Sequence, residues 1–268
     1  MALKDITLGQ YFPGNSPIHR LDPRAKLVAL ILYIVALFLA EWFVTYAILL
    51  AVLAMMVALS RVSVRSLVRG LKPVVFLLIF TALLNALFTP GRELVSFWII
   101  TVTYEGLFHA FFMVVRIMML ISCTFLLTYT TSPLALTDGL ESLLSPLKKL
   151  RVPVHELAMM MSIALRFIPT LIEETDKIMS AQRARGADFD SGNLIQKAKA
   201  LIPLLVPLFI SAFRRADELA TAMECRCYHG GQGRTRMNQL HFKPGDGLFM
   251  AAALALCVLI GILGRFGF

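Results

Sequence analysis

Residues 27–60 read LVALILYIVALFLAEWFVTYAILLAVLAMMVALS, two apolar runs (Leu27–Ala40 and Phe43–Ser60) parted only by Glu41 and Trp42. An acid beside an interfacial tryptophan suits the tight turn of a helical hairpin at the far face of a membrane. Outside the hairpin the sequence turns basic. His19-Arg20-Leu21-Asp22-Pro23-Arg24-Ala25-Lys26 precedes it, and Arg61, Arg65, Arg69 and Lys72 follow it. The pattern repeats downstream, with further apolar spans at about Pro73–Phe88, Gly106–Tyr129 and Gly247–Leu263.

Composition agrees with a bilayer. Of the 268 residues 58% are hydrophobic and 16% charged, where soluble domains carry about 25% charged residues. The net charge of +9 does not point to nucleic acid, because the basic residues gather in the loops that one topology puts in the cytoplasm. Five spans with a cytoplasmic N-terminus leave only Arg92 and Arg265 outside and Arg116 within a span. Four scattered cysteines make no disulfide framework, and polar residues 1–24 hold no apolar core of a cleavable signal peptide. The stretch from Arg92 to Tyr104, with Phe97-Trp98-Ile99-Ile100, is too short to span as a helix and is expected to be interfacial or re-entrant.

A charged block from Ser132 to Lys243 interrupts the apolar pattern. Its leucines at 140, 143, 144, 147 and 150 predict an amphipathic surface helix that starts after Ser132-Pro133. A break at Pro153 is followed by a long helix over 154–185, kinked at Pro169 and capped by Gly186. After a loop at 188–193, a second long helix is expected from Leu194 to Tyr228, bent by Pro203 and Pro207 and ended by Gly230-Gly231-Gln232-Gly233. The fold class is therefore an all-α integral membrane protein. It has about five spans and three cytoplasmic or interfacial helices, two of them long and crossing. Residues 1–131 form a four-span part, 132–243 the helical block and 244–268 the last span.

Within the block a segment occurs twice. Glu173–Arg185 and Arg214–Arg226 align with Asp176 on Asp217, Ala181 on Ala222 and Arg185 on Arg226. An arginine at a helix C-terminus favours the negative end of the dipole and can fork onto a carboxylate, which makes each helix end a peg with a charged tip. Basic residues are also common at helix ends for stability alone. The alignment sets Glu173-Glu174 against Arg214-Arg215, a charge pairing where the helices cross.

Three signals fail as catalytic or metal sites. Cys225-x-Cys227-x-His229 has one residue between its cysteines, where zinc sites use two to four. His155-Glu156 lacks the second histidine of a metalloprotease helix. Gly230-Gly231-Gln232-Gly233-Arg234-Thr235 lacks the Gly-Lys-Ser/Thr of a P-loop. No Ser/His/Asp set stands out, so a membrane hydrolase is not supported.

His19–Lys26, Gln182-Arg183-Ala184-Arg185-Gly186, Ala222–Tyr228 and the tail Gly230–Arg236 resemble, in order, the signatures of the transmembrane T component of energy-coupling factor transporters. That family is related to the T components of cobalt and nickel uptake. The resemblance implies a non-catalytic subunit of a prokaryotic plasma membrane. It would couple two ABC-type ATPases, which bind ATP and Mg, to an S component that captures a vitamin or metal ion. The chain itself would hold no cofactor or metal. The docking residues would be Ala184, Arg185 and Gly186 at one tip and Cys225, Arg226 and Cys227 at the other. Cys225 and Cys227 replace alanine and glycine, which puts the second helix stop at Gly230 or nearby.

Other residues join this reading as contacts. A buried charge such as Arg116 costs about 2.5–3.5 kcal/mol in a span, so it faces protein or water. It either positions the S component or a neighbouring helix, or it is satisfied by backbone carbonyls in the bundle. Met159, Met160 and Met161 are either core or a pliable surface for exchanging S components. Glu173, Glu174, Arg214 and Arg215 are the inter-helix candidates. Two alternatives remain: a dedicated cobalt or nickel T component, or a secondary transporter without ATPases, which would need more polar residues in its spans than Asn85, His109 and Arg116.

Overall fold

The structure, a computed structural model, describes residues 11–89, 93–97, 100–187, 189, 193–230 and 240–266. The tail at 231–236, most of the loop at 188–193, Trp98, Ile99 and residues 1–10 lie outside the described residues.

The apolar hairpin is helical on both sides. Helix α1 (Pro23–Leu39) starts four residues ahead of the apolar run, because Asp22 accepts the Arg24 N–H at 2.9 Å and Pro23 takes the first helical position. Helix α2 (Phe43–Ser60) follows a turn in which the Trp42 N–H donates to Thr45 Oγ1 at 3.2 Å. The third span is entered through a short amphipathic helix, α3 (Val64–Leu71), and a 3-10 turn holding Pro73, before α4 (Val75–Phe88). Next comes an antiparallel hairpin of β1 (Glu93–Phe97) and β2 (Ile100–Thr103), with Phe97 opposite Ile100 and Ser96 opposite Thr101. A stretch too short for a spanning helix thus satisfies its backbone as a strand pair, in keeping with its β-branched and aromatic composition. Apart from this ribbon the described fold is helical. Helix α5 (Tyr104–Thr130) is capped by Thr103, whose Oγ1 accepts the Gly106 N–H at 3.1 Å.

The block holds α6 (Pro133–Leu144), α7 (Val154–Ala184) and α8 (Leu194–Cys225), and α9 (Pro244–Phe266) closes the chain. Two expectations are corrected here. The leucine stripe over 132–150 is not one helix: α6 stops at Leu144 and Ser145–Leu150 forms 3-10 turns. Pro146 removes a helical donor and disfavours the α conformation at Ser145. Helix α8 stops at Cys225, short of Tyr228 and ahead of the glycines. Pro169, Pro203 and Pro207 lie inside continuous helices.

Among the described residues, five helical segments are long and apolar enough to cross a membrane: α2, α3–α4 (Val64–Phe88), α5, α7 and α9. Helix α1 is shorter, at 17 residues, and its ends carry the polar turns. Helix α7 qualifies through its first half, while Glu173, Glu174, Asp176, Lys177 and Arg183 charge its second half.

Residues 9–140 and 240–268 build one compact unit, and 141–239 belong to another. In the first, α1 packs on α9 through small residues: Ala25, Ala29 and Ala36 are buried, and a Cβ on Gly264 would stand 3.3 Å from Leu39 O. Tyr33, Leu37, Tyr46, Leu49, Phe112, Met119 and Ile260 fill the core where α1, α2, α5 and α9 meet. Tyr33 Oη donates to Leu49 O at 3.1 Å, so the phenol is satisfied inside the bundle. In the second unit α7 packs on α8.

Candidate functional site

Both long helices end in the same backbone motif. At the end of α7, Gly186 N–H donates to Arg183 O and Ala187 N–H to Gln182 O, each at 3.0 Å. At the end of α8, Cys227 N–H donates to Glu224 O at 2.8 Å and Tyr228 N–H to Met223 O at 3.0 Å. This is the Schellman arrangement, whose central residue must be left-handed. Gly186 has φ +88° and Cys227 φ +57°. The stop expected at Gly230 or nearby falls three residues earlier than Gly230: Cys227 itself takes the glycine's conformation, at a cost of about 1–2 kcal/mol for a non-glycine residue.

The motif places Arg185 and Arg226 at equivalent caps, with Ala184 and Gly186 beside one and Cys225 and Cys227 beside the other; all six are exposed. The tips differ in charge. Arg183 sits in the last turn of α7, 6.0 Å from the Phe189 ring, whereas the last turn of α8 holds Glu224 and no basic residue. The first tip presents two guanidinium groups to a negative helix end, the second one.

Upstream, Arg215 Nη2 donates to Glu174 Oε2 at 2.7 Å, and Ser211 Oγ donates to Glu174 Oε1. Glu174 and Arg215 are equivalent positions of the repeat, so the helices meet like-to-like. Gln182 Nε2 also donates to Pro203 O at 3.4 Å, which sets α7 and α8 antiparallel. Each arginine tip stands eleven residues beyond the ion pair, about 16 Å of helix, and the two tips point opposite ways. Glu173 and Arg214 are exposed. Sequence reasoning missed Ser211; its signal is the four-residue spacing to Arg215, which puts both on one helix face. On one side of the crossing Ile163, Phe167 and Leu171 face Leu219 and Met223 across an apolar groove of about 250 Å³. Met159 is half-buried, and Met160 and Met161 are exposed.

Arg116 lies apart from the tips, in the other unit. Its Nε donates to Tyr46 Oη at 2.8 Å and its Nη2 to Ala40 O at 3.0 Å, with the guanidinium 5.7 Å from the Phe38 ring. It thus closes the carbonyl end of α1 and ties α1, α2 and α5 together. His109 is exposed.

The His19–Lys26 signature turns inward. Lys26 Nζ donates to Thr130 O at 3.0 Å and to Thr131 Oγ1 at 3.1 Å, satisfying carbonyl and hydroxyl groups where α5 ends. Asp246 is buried and accepts the Asp22 N–H at 2.9 Å and the Lys243 N–H at 2.8 Å. These bonds fasten the starts of α1 and α9 to the end of α5. In the second unit, His155 Nδ1 and Glu141 Oε1 are 3.0 Å apart, joining α6 to α7.

Residues 14–237 match the family described as cobalt transport protein, CbiQ. Near-full-length relatives carry the name energy-coupling factor transporter transmembrane protein. The one from Clostridium kluyveri is 56% identical over 98% of both chains. That from Thermosediminibacter oceani is 54% identical over 98% of this chain and 99% of its own. The Lactococcus lactis relative is 46% identical over 96% and 97%. This multi-pass membrane chain belongs to the CbiQ family and is a transmembrane component of the energy-coupling factor type.

Proposed function

We propose that the chain is the coupling subunit of an ATP-driven importer. Two ABC-type ATPases dock on the Arg185 and Arg226 tips from the cytoplasm, and an S component seats on the membrane helices and the α7–α8 pair. Residues 132–243 work as the coupling block, α7 included, and the first and last parts of the chain hold the bilayer of a prokaryotic plasma membrane. ATP and Mg stay on the ATPases, and this subunit catalyses nothing. One observation carries the reading: two antiparallel helices end in the same capped, exposed arginine, equally far from a shared ion pair. Closure of the ATPases would move both tips and turn the crossing, and the helices would pass that motion to the S component.

Co-purification with the two ATPases tests it. Arg185→Glu or Arg226→Glu alone weakens capture, since each reverses a docking charge, and the double variant loses it. Undiminished capture by the double variant refutes the reading. The family's description supports a second reading, a unit dedicated to cobalt or nickel. Uptake of one metal with a single S component, and none with vitamin-binding S components, would favour it. A secondary transporter is disfavoured, because Arg116 is committed to Tyr46 and Ala40.

A further inference from the structure

We propose that a cleft beside the start of α3 binds the phosphodiester of an anionic phospholipid. The cleft encloses about 330 Å³ between residues 12–19 and the turn joining α2 to α3. Both walls are fixed. Phe12 N–H donates to Tyr129 O at 3.1 Å, and His19 bridges Ser16 Oγ at 2.6 Å and Phe12 O at 3.1 Å. On the other side Tyr129 Oη donates to Ser66 O at 3.4 Å.

The lining suits a phosphate monoanion. Arg61 is exposed and forms no ion pair among the described residues. Asn15 adds an exposed amide. The Ser63 and Ser66 hydroxyls are 3.2 Å apart, so one donates to the other and leaves a hydroxyl hydrogen for a ligand.

Location selects a lipid as the source of that phosphate. Helices α1 and α2 form a hairpin, so the start of α1 and the end of α2 share one membrane face. That edge carries Arg20, Arg24, Arg61, Arg65, Arg69 and Lys72, while the acids Asp22 and Asp246 there are buried and already bonded. Helix α3 is amphipathic along this edge. Leu67 is buried, Val64 and Val68 are 65% and 58% exposed, and Arg65 and Arg69 lie on the adjoining face. A short helix of this kind lies in the headgroup region, with its valines toward acyl chains and its arginines toward phosphates. A headgroup held in the cleft would therefore sit at the depth its chains require.

The test uses the full-length chain, purified in detergent and supplied with phosphatidylglycerol or phosphatidylcholine. Bound lipid is read by native mass spectrometry after a wash in about 0.5 M NaCl, which screens diffuse attraction. One retained phosphatidylglycerol per chain, and no retained phosphatidylcholine, is expected. Arg61→Gln and, as a surface change that spares the fold, Asn15→Glu should each lower retention by about tenfold, whereas Arg65→Gln/Arg69→Gln should lower it by less than about twofold. Equal losses in all three variants would mean a diffuse basic surface and overturn the cleft. Displacement of the lipid by about 10 mM inorganic phosphate would assign the site to a free anion and overturn the lipid source.

Discussion

At the scale of single residues, the two arginine tips pose a controlled comparison. Gly186 and Cys227 occupy the same left-handed position in the same motif, and only one of them is a glycine. Gly186→Ala should fray the end of α7 by about 1 kcal/mol, and Cys227→Gly should steady the end of α8 by a similar amount. Hydrogen exchange at the two capped amides, Ala187 and Tyr228, reads this directly. Exchange should speed up about fivefold at Ala187 in the first variant and slow at Tyr228 in the second. Unchanged exchange in both would mean that the caps do not hold the tips. Arg116 is a residue-scale case of another kind. Arg116→Leu strands Tyr46 Oη and the Ala40 carbonyl, and should destabilise the membrane unit by about 1–3 kcal/mol. Arg116→Lys should recover little, because an ammonium cannot fork to both partners. Thermal unfolding in detergent checks the order wild type, lysine, leucine.

At the scale of elements, the ion pair at the crossing matters for register more than for stability. Glu174 and Arg215 are 22% and 32% exposed at their side chains, so solvent screens them and their coupling in a double-mutant cycle should be about 1 kcal/mol or less. Glu174→Gln should leave ATPase capture intact and lower substrate uptake per ATP hydrolysed, because the tips still dock while the crossing slips. Uptake that stays fully coupled would remove the register role. The crossing was legible in the sequence, since the repeat already set Glu174 against Arg215. Most helices were legible too, from apolar runs and proline or glycine punctuation. Their ends were less so. Pro146 stops α6 at Leu144 against an unbroken leucine stripe, and Cys227 stops α8 where composition pointed to Gly230. In both places backbone hydrogen bonding outweighs the side-chain pattern. Ser211 was missed although its spacing puts it on one helix face with Arg215, and the tie from Asp246 to Asp22 could not be read, because it spans 224 residues.

At the scale of the whole molecule, residues at the starts of α1 and α9 hold the membrane unit together. Asp246 bonds the Asp22 amide across 224 residues, and Lys26 bonds the end of α5 across 104. Helices α1 and α9 are thus joined to each other and to the end of α5. That gives the His19–Lys26 segment a structural use: it ties α1, α5 and α9 of the membrane unit to one another. Asp246→Ala removes the acceptor for the Asp22 and Lys243 amides and should destabilise the unit by about 1–3 kcal/mol for each amide left buried and unpaired. Asp246→Asn keeps one oxygen acceptor and should fall between alanine and wild type. The readout is the unfolding midpoint of the full-length chain in detergent, set beside ATPase capture. A lowered midpoint with capture retained is the expected result, because the tips belong to the other unit. If capture fell while the midpoint held, the latch would have to act on docking rather than on the rigidity of the spans.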